Sequence, residues 1–544
     1  MYRALLGIYI VAAAYLLLCQ AARVVCDWDI GYLNVNRDGY TTRRAIGVNG
    51  QLPIPPVYAT KGDTLVINVH NSLDTPTTIH AHGLFMKGSS YMDGAGQITQ
   101  CGIPPGENFT YEINADRAGT FWIHGHYNHQ NVDGLRTSLV IHDTGPPVLD
   151  YDEDKLVFLE EWYPYEFIPH MAEVMSPLAP FPPPPSFPYG LVNGVNGNDT
   201  TPITFVPGRK YRFRVINMST TEWFKFSLPG HKLTIIEADG TDSVPHTVDG
   251  LDLGPGQRYS VVVTAHDTDA YNYQYNATLY ANFVPFIPGM NPRYYLGLIE
   301  YKKGAPLKTI APTADSQYVW SDDILLKARD RQPLLSVDKT FDWTFTTKKN
   351  SKNVTTSILD EISFQPPLVP PLFSAFSMGD LALNETIYGP QTRAHVLRLG
   401  EVVEIVLHNP SGLDHAMHLH GHAFQVTEYG PSGTPANSTT LPVPIRKFTD
   451  WPMRRDTFVV RSYQYIKVRF YADNPGVWLF HCHMDVHFSM GMAVTFVEAP
   501  DVLQKQQTIP QALIDMCHRQ GIVTSGNGAG NAGFNLTGLP PVLR

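Results

Sequence analysis

The stretch "KGDTLVINVHNS", residues 61–72, decides how this chain folds. Glycine stands second, apolar and polar residues alternate through the middle, and Asn71 stands eleventh. Alternation with a period of two places one set of side chains on one face of a half-buried strand, and the flanking residues are turn formers. The layout returns in "PGRKYRFRVINM" (207–218) and in "LGEVVEIVLHNP" (399–410). Gly62, Gly208 and Gly400 fall in register, as do Asn71, Asn217 and Asn409. Three copies of one strand unit predict three related β domains. Short strands divided by Gly, Pro and Asn turns point to sandwiches or Greek-key barrels.

A second echo joins only the two ends. "ADRAGTFWIHGH" (115–126) matches "ADNPGVWLFHCH" (472–483), aligning Gly119 with Gly476, His124 with His481 and His126 with His483. The middle copy lacks this element, so metal chemistry is expected in the first and last domains alone. The run "PFPPPPSFPYG" reads as a stiff loop inside the middle domain.

Four motifs carry the chemistry: "IHAHG" (His80, His82), "WIHGH" (His124, His126), "HAMHLHGH" (His415, His418, His420) and "FHCHMDVH" (His481, Cys482, His483, His487). On a strand, residues i and i+2 face the same way, so each His-x-His pair offers two imidazoles in one direction. Imidazole suits copper, zinc, iron or nickel. One such pair is a weak signal; four, two in each matching domain, are a strong one. His70, His129, His408 and His422 lack the spacing and read as ordinary surface or core residues. Cys482 points away from both neighbours, so its thiolate can bind one metal while His481 and His483 bind others. A Cys and two His with a weak axial Met is the pattern of a blue-copper site. Cys482, His487 and Met492 supply three of those groups locally, and His415 is the natural fourth.

On "DNPGVWLFHCH", "HLHGH", "TQCGIPPG" and "PMRRDT", the chain resembles the three-domain multicopper oxidases, with fungal laccases and fungal iron-uptake ferroxidases as the nearest likeness. The resemblance implies an all-β architecture of three cupredoxin-like Greek-key barrels. They are expected over residues 23–147, 148–305 and 306–544, the last with a linker and C-terminal tail. It implies four coppers. His415, Cys482 and His487 would hold the type 1 copper with Met492 axial, and His80 and His418 the type 2 copper. His82, His124, His126, His420, His481 and His483 would hold the type 3 pair. The family varies the axial residue among Met, Leu and Phe, and Met492 implies a lower-potential site. Asp93 and Asp485 match acidic positions assigned to proton delivery, work that suits tuned carboxylates. Ala416 departs from the usual Pro, and Ile123 and Gly125 from the common Tyr and Ser, but no ligand position is lost.

The remainder of the chain points outward from the cell. "MYRALLGIYIVAAAYLLLCQAA" has a basic residue, an apolar stretch and small residues in the order of a secretory leader, expected to be cut near residue 21 or 22. Sequons begin at Asn108, Asn198, Asn217, Asn276, Asn353, Asn384, Asn437 and Asn535. A soluble, monomeric glycoprotein, secreted or held in the cell wall, is the expectation. A formal charge of -10 and 17% charged residues disfavour nucleic acid as a partner. With Cys482 on a metal and Cys19 lost with the leader, Cys101 and Cys517 are the expected bridge. Cys26 is left over, and sequence alone does not fix the pairing.

The electron donor divides two readings, since a carrier protein would need only the type 1 site. Glu161 in "EEWY" and Asp380 in "MGDLALNETIYG" match positions where ferroxidases hold Fe(II). A further acidic stretch of those enzymes corresponds to the uncharged "YANFVPFI" (280–287), and their membrane-spanning tail has no counterpart in this sequence. Glu222 lies within one residue of the laccase carboxylate that accepts a phenol proton, with Trp223 and Phe224 beside it as candidate pocket walls. The favoured expectation is therefore a laccase-like oxidase, coupling oxidation of phenolic or aromatic substrates, in pigment formation or aromatic coupling, to reduction of O2. The alternative is a ferroxidase.

Overall fold

The computed structural model describes residues 21–179, 188–196, 200–280, 293–310, 318–359, 361–433, 444–448 and 450–542. The leader, most of the Pro-rich run, residues 281–287 and the sequons at Asn198 and Asn437 lie outside them. Three pairs of sheets follow one another along the chain. In each pair, the repeated stretch is a central strand: Thr64–Asn71, Lys210–Asn217 and Val402–His408. Each runs parallel to the domain's first long strand (Arg23–Val35, Glu153–Trp162, Lys339–Lys349). Each is antiparallel to a later one (Asn108–Asn114, Arg258–Thr264, Gln464–Tyr471).

The aligned asparagines do one job three times. The Asn71 amide donates to the carbonyls of Thr75 and Ile103, and its oxygen accepts from the Leu73 amide. Asn217 donates to Glu222 and Leu253 and accepts from Ser219. Asn409 donates to Leu413 and Val460 and accepts from Ser411. Each plugs the loop after its strand by satisfying backbone groups that would otherwise be buried unpaired. Asn217 is fully buried, so its sequon is a fold element and not a glycan site. The aligned glycines open each strand at positive φ (99°, 74° and 86°), which a side chain would strain.

Alternation was expected to leave one face wet, and in the middle domain it does not. Arg214 and Glu237 of that domain are buried against Thr120 of the first: Arg214 donates to the Thr120 hydroxyl, and the Thr120 amide donates to the Glu237 carboxylate across the boundary. Polar residues on the outer face are thus consumed by domain packing. Cys101 and Cys517 form a disulfide (Cα–Cα 5.3 Å), as expected, while Cys26 is free and half-buried. No helix among the described residues is long and apolar enough to cross a membrane.

Candidate metal centres

The two echoed histidine strands lie in the second sheets of the first and last domains. Ile79–His82 pairs with Gly119–Gly125, putting His80 opposite His124. His415–Leu419 pairs with Gly476–Cys482, putting His418 opposite His481. The two sheets meet with these strands facing. His80 lies on His420 (ring centroids 4.0 Å apart), His82 on His418 (3.7 Å), His124 by His483 (5.4 Å) and His126 by His481 (5.4 Å). First residues of one domain's pairs meet second residues of the other's, so the eight imidazoles are arranged about a local two-fold axis.

Most of these rings have one nitrogen anchored. The Nδ1–H groups of His80, His124, His418 and His481 donate to the carbonyls of Asp93, Gly125, Asp456 and Cys482. His420 Nδ1–H donates to Asp93 Oδ2 (2.8 Å), and His82 Nε2–H to Asp456 Oδ1 (3.0 Å). The opposite nitrogens of His80, His82, His124 and His418 are buried without a partner, as are both of His483. His420 Nε2 and His481 Nε2 stand 3.2 Å apart, lone pair to lone pair. Buried polar atoms are rarely left so, and two facing lone pairs call for a cation between them. Burial and mutual repulsion push His82, His124, His126, His418 and His420 well below the usual imidazole range, and His481 and His483 down to about 3. The rings are therefore neutral and able to coordinate. The residues fit a metal cluster.

A second set sits on the far face of the same strand. Cys482 Sγ lies 3.8 Å from His415 Nδ1 and 3.6 Å from His487 Nδ1, with all three buried. Met492 is buried beside Cys482 in the domain core and accepts the Cys482 amide at its carbonyl. Burial pushes the Cys482 thiol up to about 12 and His415 down to about 3. Without a cation this thiol stays protonated; a metal must displace its proton.

Three models of the multicopper oxidase family match residues 29–146, 153–295 and 362–502. The iron multicopper oxidase fer1 of Mycosarcoma maydis is 38% identical, over 96% of this chain and 88% of that one. This chain is a multicopper oxidase. The iron transport multicopper oxidase FET3 of Saccharomyces cerevisiae is 33% identical over 99% of this chain and 85% of its own length. Among solved structures, Fet3p, described as a multicopper oxidase that functions in iron import, matches with a TM-score of 0.87 and 30% identity. That match covers 96% of this chain and 98% of the other. The laccase of Botrytis aclada matches with a TM-score of 0.75 and 28% identity, over 92% and 93%. Three cupredoxin-like domains and four coppers per chain follow from membership of this family.

These likenesses correct the laccase expectation, since the relatives at 38% and 33% identity are iron multicopper oxidases, whereas the laccase stands at 28%. The residues invoked for phenols agree with the correction. Glu222 is 1% exposed, and Trp223 and Phe224 are core residues and not pocket walls. The iron carboxylates need correction too. Glu161 is fully buried, accepting from the amides of Thr220 and Thr221 and from the Thr220 hydroxyl, 3.6 Å from Arg136. A carboxylate so engaged anchors a loop and is not open to a cation. Asp380 is exposed, but on the 3-10 turn Gly379–Leu383 that packs on helices Pro371–Ser377 and Pro500–Gln506, not on the strand of His415. Asp93 lies between His80 and His420, and Asp485 opens the short helix carrying His487. His422 is buried against Glu498 at 2.9 Å, and His129 meets Ser489 and approaches Asp485.

Metal spacing did not point to Asp456, which touches His82 through its carboxylate and His418 through its carbonyl. The signal was present in "PMRRDT": three adjacent charges beside apolar residues are either a solvated turn or a buried network.

Proposed function

We propose that this multicopper oxidase is a ferroxidase, oxidising Fe(II) to Fe(III) and passing the electrons to O2. The observation that carries the reading is near full-length kinship with iron multicopper oxidases, supported by buried His and Cys clusters that could hold metal. The surroundings of His415 and His487 support a small donor. Both are buried (2% and 3% exposed), and Met490, in the loop after His487, packs on Tyr163, Phe167 and Met171 from the middle domain. Two sizeable cavities, of about 940 and about 440 Å3, are lined by other residues.

His415, Cys482 and His487 would hold the type 1 copper. The eight paired histidines would hold the trinuclear group, His80 and His418 its type 2 member. Bound copper supplies one-electron acceptance at the first and oxygen reduction at the second. Cys482 lies between His481 and His483 in sequence, so the path joining the two centres is a few covalent bonds. Asp93 accepts the Nδ1 proton of His80 at its carbonyl and that of His420 at Oδ2, which leaves Oδ1 as the oxygen for proton delivery. Burial and neighbouring Glu161 hold Asp485 well above the usual carboxylate range, which favours its protonated form. Its Oδ2 lies 3.9 Å from His129 Nδ1, at the partly exposed end of that group. Export belongs to the same reading, supported by the leader and the exposed sequon residues Asn108, Asn384 and Asn535.

Specificity constants for Fe(II) and a simple diphenol, measured on one copper-loaded preparation, test the proposal. Fe(II) is expected to win by about tenfold or more; the reverse ranking would sink it.

A further inference from the structure

The middle domain contributes none of the candidate copper ligands, yet it touches the cluster. A Cβ built on Gly256 would lie 3.1 Å from ring carbons of both His82 and His483, so the turn 254–257 is seated directly on these imidazoles. Gln257 in this turn donates to the Thr457 carbonyl of the last domain. Arg258, which follows, is fully buried.

Arg258 grips Asp456 at two points, Nη1 to Oδ1 and Nη2 to Oδ2, both 2.7 Å. Its Nε donates to the Thr120 carbonyl of the first domain, and its amide donates to Asp239. One side chain thus joins all three domains beside the cluster. Behind it, Arg455 is held by Asp239 and Asp323. Packing is so close that a Cβ on Gly83, next to His82, would fall 2.6 Å from Arg258 Nη2 and 2.7 Å from Asp456 Oδ2.

Five buried charges are a costly way to hold a fold together, because desolvation offsets most of their attraction and apolar residues serve as well. What the network does achieve is to fix one carboxylate. Asp456 Oδ1 accepts the His82 Nε2 proton, leaving Nδ1 bare toward the cluster; the Asp456 carbonyl accepts the His418 Nδ1 proton, leaving Nε2 bare. Asp456 thereby selects the tautomer and the ring angle of two imidazoles from two domains. It is not itself placed to bind a cation, since the guanidinium occupies both of its oxygens.

We infer that Arg258 is a positioning residue for the trinuclear copper centre, acting through Asp456 to orient His82 and His418, so that the copper-free domain controls whether that centre assembles. The inference holds whichever donor feeds the type 1 site.

The test uses copper-loaded Arg258→Met, Arg258→Lys and Asp456→Asn, and the Arg258→Met/Asp456→Asn double variant. Copper per chain, the blue type 1 absorption, the type 2 electron-resonance signal and resistance of type 2 copper to a chelator are measured. The expected result is a retained blue band, a weakened or absent type 2 signal, and type 2 copper removed about 10–100-fold more readily. Lysine should recover part of the loss, and the double variant should be no worse than Asp456→Asn. Wild-type type 2 signal and chelator resistance in Arg258→Met would overturn the inference. Equal loss of type 1 and trinuclear copper in Arg258→Lys and in the isosteric Asp456→Asn would also overturn it, by showing a general role in folding.

Discussion

His418 of the last domain stacks on His82 of the first, with ring centroids 3.7 Å apart and planes 14° from parallel. Neither domain holds the whole histidine cluster, so the cluster exists only when the two are docked. The reading of each half in the sequence is therefore a statement about an interface.

Cys482→Ser should abolish the blue absorption and Fe(II) oxidation while leaving the type 2 signal, because a hydroxyl cannot replace the soft thiolate. Copper per chain should fall by one. In metal-free protein the buried, protonated Cys482 should resist thiol reagents at neutral pH. Absorption, metal analysis and thiol titration check this; a Ser variant that stays blue would contradict it.

Asn217→Ala should destabilise the middle domain by about 2–4 kcal/mol, because it removes the side-chain donor to the buried Leu253 carbonyl, one of two donors to the Glu222 carbonyl, and the acceptor of the buried Ser219 amide. Mapping glycans by mass spectrometry should find Asn217 bare. A sugar at that position would mean that the loop is open in solution.

Acid should weaken the contact between the first and middle domains. Burial opposes ionisation of Glu237, but Arg212 and Arg214 prevail and hold it down to about 2. A depressed carboxylate contributes its stability above its unfolded pKa and loses it as pH falls through the folded value. The contribution should be complete above about pH 4.5, fade toward about pH 2, and amount to roughly 3 kcal/mol. Denaturant titrations across that window should slope less steeply for Glu237→Gln; an unchanged slope would show that other acids carry the effect.

Replacing Cys517 with Ser should lower stability by about 2–4 kcal/mol with the copper centres intact. Thermal unfolding followed beside the blue band separates the two effects. Loss of colour before unfolding would show that the bridge also shapes the site.

Local pattern carried much of this structure. Period two located the three central strands, and i, i+2 spacing located the imidazoles, because both are properties of one strand. Relations between strands were less visible. Glu161 and Glu222 read as open carboxylates because loop acids generally are; what buries them is another segment's packing. Arg258 and Asp456, nearly 200 residues apart in the chain, have no spacing to betray them. Asn217 sits in a valid sequon, and only the fold shows that its amide is already spent.

The bridge from Cys101 to Cys517 spans 416 residues of sequence and all three domains. It turns the larger part of the polypeptide into a closed ring. A protease that cuts once in either connection between domains would open this ring without dividing it, and both halves of the histidine centre would remain on one covalent molecule. Separation would require a second cut within the ring or a reductant, so the bridge makes the oxidase tolerant of single nicks.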